Sequence, residues 1–225
     1  MNRNLVFPIL LLTIASCNLQ TSRKVKQLKA VGRKSGYDQK LANQLSEIYE
    51  SDQNIRIQLM DSINKYWIPS PQTDPIGAKM RTSDSLNLIY VKHILDTRGW
   101  LGAETVGDKG NSALFLVIQH SNLKTMEHYL PMLREAVENK IADSRDLAKM
   151  EDRVLVFHGK QQLYGTQFTR DSATQKYILD PLDDPDNVDN RRAKMGLGKL
   201  ADALLEWGIK WDLEEYKKEL AMKNK

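Results

Sequence analysis

The chain has 225 residues, of which 41% are hydrophobic and 28% charged, a composition that is typical of a folded globular protein and excludes wholesale disorder. Residues 1–37 contain seven of the 33 basic residues and none of the 29 acidic ones, so residues 38–225 carry 26 basic against 29 acidic residues. Because a domain that binds nucleic acid needs a basic face, this balance argues against nucleic acid as a partner.

The N-terminus has the pattern of a lipoprotein export signal. A basic residue at position 3 is followed by the apolar segment 5–15 and then by Ser16 and Cys17, the only cysteine of the chain. The apolar segment is too short to cross a bilayer, which requires about 20 residues, but it suits a cleavable signal over residues 1–16. Residues 14–17 resemble a lipobox, so we expect lipid on Cys17. The alternative is an ordinary signal peptide that ends near a cysteine.

Residues 17–37 then form a lipidated and basic tether. They contain six basic residues, no acidic residue, and small flexible residues at Gly32, Ser35 and Gly36. Basic side chains gain about 1 kcal/mol each near anionic lipid, so the tether can lie along the headgroups, with a plain solvated linker as the alternative. We expect lipid anchoring in the cell membrane or outer membrane, with residues 38–225 as one domain that faces the periplasm. Exposure at the cell surface stays open.

The first half of the domain is predicted to be helical. Residues 38–66 form a long amphipathic helix, because apolar residues recur at steps of three, four and seven, although the polar segment 51–54 could divide it. Two prolines end this helix, and residues 69–78 are predicted as a loop. A second helix is predicted from about Ser83 to Thr97, with an end at Gly99.

The middle of the chain combines a glycine-rich segment with a strongly apolar one. Residues 99–110 contain four glycines and are predicted as an irregular loop. The apolar residues 113–118 fit a buried strand or a buried helix, and we favour a helix that is capped by Asn111 or Ser112. Two amphipathic helices are predicted next, over residues 124–138 and over residues 143–158 with Gly159 at its end.

The remaining elements complete a mainly α fold. Residues 161–168 and 175–179 are predicted as the two strands of a small hairpin. Asp184 is predicted to cap a helix that begins at Pro185 and ends at Gly196. A final helix is predicted from Leu200 through Trp207, resuming after Gly208. The predicted fold class is therefore a helical domain with one small β-hairpin inserted before the C-terminal helices.

The common catalytic signatures are absent from the sequence, which contains no HExxH, GxSxG, CxxC or GxxxxGK[ST] motif. With Cys17 lipidated, no thiol remains for catalysis. His120, preceded by Gln119, follows the most apolar segment of the domain, where a histidine can act as a general base or a ligand. The alternative is a histidine that only hydrogen-bonds within the core. No cofactor is expected.

Two polar segments suggest ligands of different kinds. Five aspartates between positions 180 and 189 could supply oxygen ligands for calcium, but their spacing misses the EF-hand pattern and helix capping explains most of them, so no metal site is predicted. Tyr164, Gly165, Thr166 and Gln167 combine a glycine in a predicted strand with uncharged donors and acceptors, which suits a sugar, peptide or amide ligand. The alternative is a bulged hairpin whose amides pair with its own loop.

Three segments in order resemble an uncharacterised bacterial domain family of unknown function: GWLGAETVGDKGNSALFLVIQHS, LAKMEDRVLVFHGKQQLYGTQ and PLDDPDNVDNRRAKMGLGKLADAL. The resemblance covers about residues 80–205. The family pattern falls on Gly99-Trp100, Gln119-His120, Asp152-Arg153, Tyr164 to Gln167, and Val188 to Arg192 with the pair Arg191-Arg192. The resemblance implies candidate residues and no reaction.

Three functions follow as hypotheses. The first is a membrane-anchored binding or interaction module for an envelope sugar, peptide or protein. Its proposed site gathers Trp100, His120, Asp152, Arg153, Tyr164, Thr166 and Gln167, with His120 expected to pair with Asp152. The second is a hydrolase acting on envelope material, in which His120 is the base, Asp152 orients it, and Gln167 or Arg153 stabilises developing charge. The third is a purely structural lipoprotein.

Overall fold

The computed structural model describes residues 36–66, 68–171, 174 and 176–223. The predicted signal, Cys17 and the tether as far as residue 35 lie outside these residues. Within them the fold is mainly α with one small hairpin before the C-terminal helices, as predicted. The elements are α1 (Gln39–Tyr66), α2 (Thr73–Arg98), α3 (Ala103–Gln119), α4 (Leu123–Glu138), α5 (Ser144–Phe157), β1 (Phe168–Arg170), β2 (Tyr177–Leu179), α6 (Val188–Lys194), α7 (Leu200–Leu205) and α8 (Leu213–Lys223). None of these helices is long and apolar enough to cross a bilayer.

Helix α1 is one continuous helix of 28 residues, so the break considered at residues 51–54 does not occur. Asp52 lies on the same buried face as Leu45 and Ile55, and this face packs against α2 and α3. The polar segment therefore stays helical because one of its members is held inside the fold.

Helix α2 begins at Thr73, ten residues before the predicted start, so the prediction of a loop through residue 78 was wrong. Ser70 and Thr73 cap this end reciprocally: the Thr73 N–H donates to Ser70 Oγ at 3.1 Å, and the Ser70 N–H donates to Thr73 Oγ1 at 3.0 Å. Pro75 falls in the first turn, where its missing N–H breaks no helical hydrogen bond.

Helix α3 lies at the centre of the fold and contacts α1, α2, α4 and α5. It begins at Ala103, so most of the loop predicted over residues 99–110 is helical, and Gly107 kinks the helix with φ of +72°. The helix predicted over residues 113–118 is confirmed, but Asn111 does not cap it. The Asn111 amide instead donates to the carbonyls of Leu101 at 2.7 Å and Ile141 at 2.9 Å.

Helices α4 and α5 pack against each other, and both agree with the predicted bounds to within one residue. Asn122 caps α4 by accepting a hydrogen bond from the Thr125 N–H, and Asp143 caps α5 through the Arg145 N–H. The chain leaves α5 through Gly159, whose φ of +69° is the left-handed conformation that glycine adopts at the end of a helix.

Strands β1 and β2 pair antiparallel, with Thr169 opposite Ile178. The prediction of a strand over residues 161–168 was wrong. Strand β1 begins only at Phe168, and residues 163–167 form an irregular loop.

The C-terminal segment packs around a second small core of Leu182, Val188, Leu200 and Leu204. A short 3₁₀ turn, Pro185–Asn187, leads into α6. The helical segment that begins with this turn is followed by Gly196, whose φ is +70°, at the predicted end. The predicted capping by Asp184 is wrong. Its carboxylate accepts hydrogen bonds from the side chains of Asn187 and Arg191 and none from a helix N–H.

Candidate functional site

Asp152 anchors the loop that follows α5. Its side chain is fully buried and accepts four hydrogen bonds, from the N–H groups of Leu163 at 2.7 Å, Tyr164 at 3.0 Å and Thr166 at 3.0 Å, and from Thr166 Oγ1 at 2.8 Å. Burial raises the pKa of Asp152, and these hydrogen bonds oppose that rise. Both oxygens are therefore occupied in holding the loop.

The unusual glycine of this loop is explained by packing inside the protein. Gly165 has φ of +67°, and a Cβ there would lie 2.7 Å from Cδ1 of Leu200. The close approach that a glycine in this segment predicts is thus made by the protein's own second core.

Arg191 and Arg192 hold the same loop from the other side. Arg191 Nε donates to the Leu163 carbonyl at 2.8 Å, and Arg192 Nη1 donates to the Tyr164 carbonyl at 2.6 Å. Arg192 is buried and also donates to the Gly198 carbonyl. These two predicted site residues join α6 to the loop, so we assign them a structural role.

The buried amide of Gln162 completes the anchoring. Its Nε2 donates to the carbonyls of Gln167 at 3.0 Å and Asp180 at 2.8 Å, and its Oε1 accepts the Gln167 N–H at 2.9 Å. An amide can replace a strand partner in this way because it has both a donor and an acceptor. Of the two open interpretations of the Tyr-Gly-Thr-Gln motif, these contacts favour the loop that pairs with its own surroundings.

His120 does not pair with Asp152. Its Nδ1 lies 3.1 Å from Oδ1 of Asp52, in the middle of α1, and its ring stands at the C-terminal end of α3. Asp52 is 1% exposed and also receives Arg56 Nη1 at 2.7 Å. Arg56 reaches further to Asp84 on α2, with Nη2 at 3.0 Å. The expected pairing was wrong, because the carboxylate that contacts His120 comes from α1 and both oxygens of Asp152 hold the loop.

The protonation of this pair follows from its surroundings. Burial alone raises the pKa of Asp52, but its hydrogen bond and attraction to His120, followed by the charge of Arg56, hold the pKa below its usual value of 3.8. Asp52 is therefore a carboxylate that can only accept, so Nδ1 of His120 is the donor. In the neutral imidazole the lone pair then lies on Nε2.

Arg153 is held in a fixed orientation at the C-terminal end of α3, against the backbone of the residue that precedes His120. Its Nε donates to Oε1 of Gln167 and its Nη1 to the carbonyl of Gln119, both at 2.9 Å. Burial lowers the pKa of Arg153 and the nearby charge of Arg56 lowers it further, while no acidic side chain in the part of the chain that the structure describes raises it. We call Asp52, Arg56, His120, Arg153 and Gln167 the His120 cluster.

Of the residues that bear the pattern of the uncharacterised family, His120 and Arg153 belong to the His120 cluster, while Asp152, Arg191 and Arg192 hold the loop over residues 163–167. The profile of the family described as Family of unknown function (DUF6624) matches residues 39–210. The chain belongs to this family. No curated protein and no solved structure matches it. The DUF6624 match begins at the first residue of α1, so it includes Asp52 and Arg56.

The predicted site residues do not all meet in this DUF6624 domain. Gln119, His120, Arg153 and Gln167 lie together, and Gln167 Nε2 also contacts Thr166 Oγ1 at 3.0 Å, which links them to the loop. The Tyr164 hydroxyl donates to Oε2 of Glu151 on α5 at 3.2 Å. Burial raises the pKa of Tyr164 to about 12.

Trp100 lies apart from both groups, in the hydrophobic core between α2 and α3. It is 7% exposed, and its Nε1 finds no hydrogen-bond acceptor among the described residues. Trp100 therefore packs the core of the DUF6624 domain and does not belong to the predicted cluster.

Asp52 and Arg56 are not among the predicted site residues, although the sequence contains a signal for them. Asp52 follows Ile48 by four positions and precedes Ile55 by three, so it falls on the apolar stripe of α1, and Arg56 is four residues further on. A carboxylate on a buried stripe requires partners and indicates a polar site.

Side chains that could bind a metal ion do not cluster in the part of the DUF6624 domain that the structure describes. No group of three His, Cys, Asp or Glu side chains there could hold a metal ion. Of the five aspartates between positions 180 and 189, Asp180 accepts a hydrogen bond from Thr169, Asp186 pairs with Lys217, and Asp189 accepts the Leu200 N–H.

Proposed function

We propose that this protein is a lipid-anchored protein of the bacterial cell envelope whose DUF6624 domain binds an anionic group at the His120 cluster. The observation that carries the proposal is the guanidinium of Arg153. It is partly buried, it is fixed by two neutral acceptors, and no acidic side chain among the described residues pairs with it. A cation that is partly buried is usually paired with a negative charge.

The geometry of Arg153 suits a planar or tetrahedral anion. A guanidinium carries five N–H donors, and two of those in Arg153 are used by Gln167 and Gln119. The remaining donors form a fork of the kind that binds carboxylate or phosphate in a bidentate manner. Arg56 is different, because Asp52 and Asp84 already neutralise it.

The cellular setting of the proposal comes from the N-terminal sequence. A short apolar segment that ends at the only cysteine supports lipidation of Cys17, and the basic residues of the tether suit a position close to anionic headgroups. The ligand would then be an anionic group on an envelope sugar, peptide or protein. Such a partner would present the group as a phosphate or a carboxylate.

The test is a melting-temperature series on the full-length lipidated chain in detergent, with inorganic phosphate and acetate as probes. Ligand that binds only the folded state raises the melting temperature. We expect a rise in the wild type and none in Arg153→Gln. The matched control is Arg145→Gln, which removes the same charge from a 58% exposed side chain two turns earlier on α5, and it should respond like the wild type. Equal shifts in all three proteins, or no shift in the wild type, would contradict the proposal.

A further inference from the structure

We propose that Asp52 and His120 form a general-base pair that activates water for hydrolysis of a phosphodiester whose phosphoryl oxygens are held by Arg153. This inference rests on the proposed anion site and names both its substrate class and its reaction. It is carried by the orientation of the imidazole, by the position of Arg153 next to it, and by the charge that each group supplies.

The imidazole is oriented as a base requires. Nδ1 donates to the buried Asp52 carboxylate at 3.1 Å, so the neutral ring presents the lone pair of Nε2 on its opposite side. Nε2 has no hydrogen-bond partner among the described residues, and the side chain is 17% exposed. A water molecule can therefore approach the basic nitrogen.

Asp52 is well placed to stabilise the ring once it gains a proton. Its carboxylate is held by Arg56 Nη1 at 2.7 Å and by Gln53 Nε2 at 2.8 Å, and it is 1% exposed. A fixed buried carboxylate beside an imidazole keeps the required tautomer and lowers the energy of the imidazolium. Asp52 touches no reacting atom, so it is a positioning residue.

Arg153 places the substrate beside the base. Its Nη1 donates to the carbonyl of Gln119, the residue that directly precedes His120. An anion on the free N–H groups of Arg153 therefore lies near the imidazole, and the guanidinium also stabilises the charge that develops on the phosphoryl oxygens.

The charges favour a diester over a monoester. Arg153 contributes one positive charge and has no acidic partner within the described part of the chain, while Arg56 is paired with Asp52 and Asp84. A phosphodiester carries one negative charge, whereas a phosphomonoester carries close to two at neutral pH. Because the two arginines and the two aspartates sum to no net charge, a second negative charge on the ligand would gain less than the first, which favours the singly charged diester.

The reaction balances without a further reactant. The water oxygen forms a bond to phosphorus, its proton passes to Nε2 of His120, and the phosphorus–oxygen bond to one alcohol breaks. The imidazolium then returns its proton to the departing alkoxide. The products are a phosphomonoester and an alcohol, and His120 is neutral again.

The test measures release of 4-nitrophenolate from bis(4-nitrophenyl) phosphate by the full-length protein. We expect turnover by the wild type and a decrease in kcat of about 10²–10⁴-fold in His120→Gln, because removal of a general base has an effect of that size. His158→Gln is the matched control, since this histidine is 43% exposed and pairs with Glu127, and its rate should equal that of the wild type.

Two further readouts separate catalysis from folding. His120→Gln should keep the melting-temperature shift with phosphate, because Arg153 and not the imidazole holds the anion. Asp52→Asn should lower kcat and change the pH profile without raising KM. A wild type that binds phosphate but releases no nitrophenolate, or a His120→Gln variant with unchanged kcat, would overturn this inference and leave the anion site intact. Absence of phosphate binding would overturn the proposed function itself.

Discussion

Nδ1 of His120 lies 3.1 Å from Oδ1 of Asp52, although the two residues are 68 positions apart in the chain. The contact exists because α1 and α3 pack side by side, with Asp52 on the buried stripe of one helix and His120 at the end of the other. This contact changes which carboxylate is assigned to His120. The carboxylate that orients the imidazole belongs to the first helix, and Asp152 is left to hold a loop.

Acid should remove the stability that Asp52 contributes. Its pKa is lower in the folded protein than its ordinary value of 3.8, so its contribution is fully present above pH 3.8 and is lost as the pH falls through the folded pKa. The difference in free energy of unfolding between the wild type and Asp52→Asn, measured with urea across the acidic range, should shrink below pH 3.8. His120→Gln removes the main hydrogen bond and should weaken the same dependence. A constant difference at every pH would contradict this account.

Asp152→Ala should destabilise the fold by about 3 kcal/mol, because it leaves several buried donors without an acceptor. These are the N–H groups of Leu163, Tyr164 and Thr166 together with the Thr166 hydroxyl. Urea unfolding measures the loss. Asp108→Ala, at an exposed position of α3, is the control and should change the free energy of unfolding by less than about 0.5 kcal/mol. Equal effects of the two substitutions would show that Asp152 does not anchor the loop.

Gly165→Ala should lower stability by about 1–3 kcal/mol, from a left-handed backbone and a contact that is too close. The new Cβ would lie 2.7 Å from Cδ1 of Leu200 at a φ of +67°. Gly198→Ala is the matched control, since a Cβ there meets nothing within 4 Å. Thermal unfolding of both variants decides the matter. If Gly165→Ala melts at the wild-type temperature, the loop does not pack against α7 as described.

Cys17→Ala should abolish incorporation of labelled palmitate and leave the protein uncleaved or released from the membrane. Several acyl chains on one residue hold a protein almost permanently, because each buried methylene contributes about 0.8 kcal/mol. Labelling in cells followed by membrane fractionation is the measurement. Ser22→Ala, which lies after the lipobox, should be labelled and retained like the wild type. Normal labelling of Cys17→Ala would refute the anchor.

Much of the candidate site could be found from residue types and spacing, but its connections could not. Gln119, His120, Arg153 and Gln167 were selected as candidates, and they lie together. Asp52 was not selected, although its position on the apolar stripe of α1 marks it as a buried carboxylate. The contact between Asp52 and His120 could not be predicted from the sequence. Helical periodicity shows which face of a helix is buried, but it does not show which other helix packs against that face.

By itself the sequence determined the mainly helical fold, most helix bounds, the glycine ends of the helices and the lipobox pattern, because these depend on local periodicity, capping and backbone freedom. Only the tertiary structure decided that the segment before β1 is a loop held by Asp152, and that His120 takes Asp52 as its partner. The physical reason is that a buried polar group must be satisfied by whichever donor or acceptor the packed helices bring to it. The order of residues along the chain does not by itself show which polar groups the packing brings together.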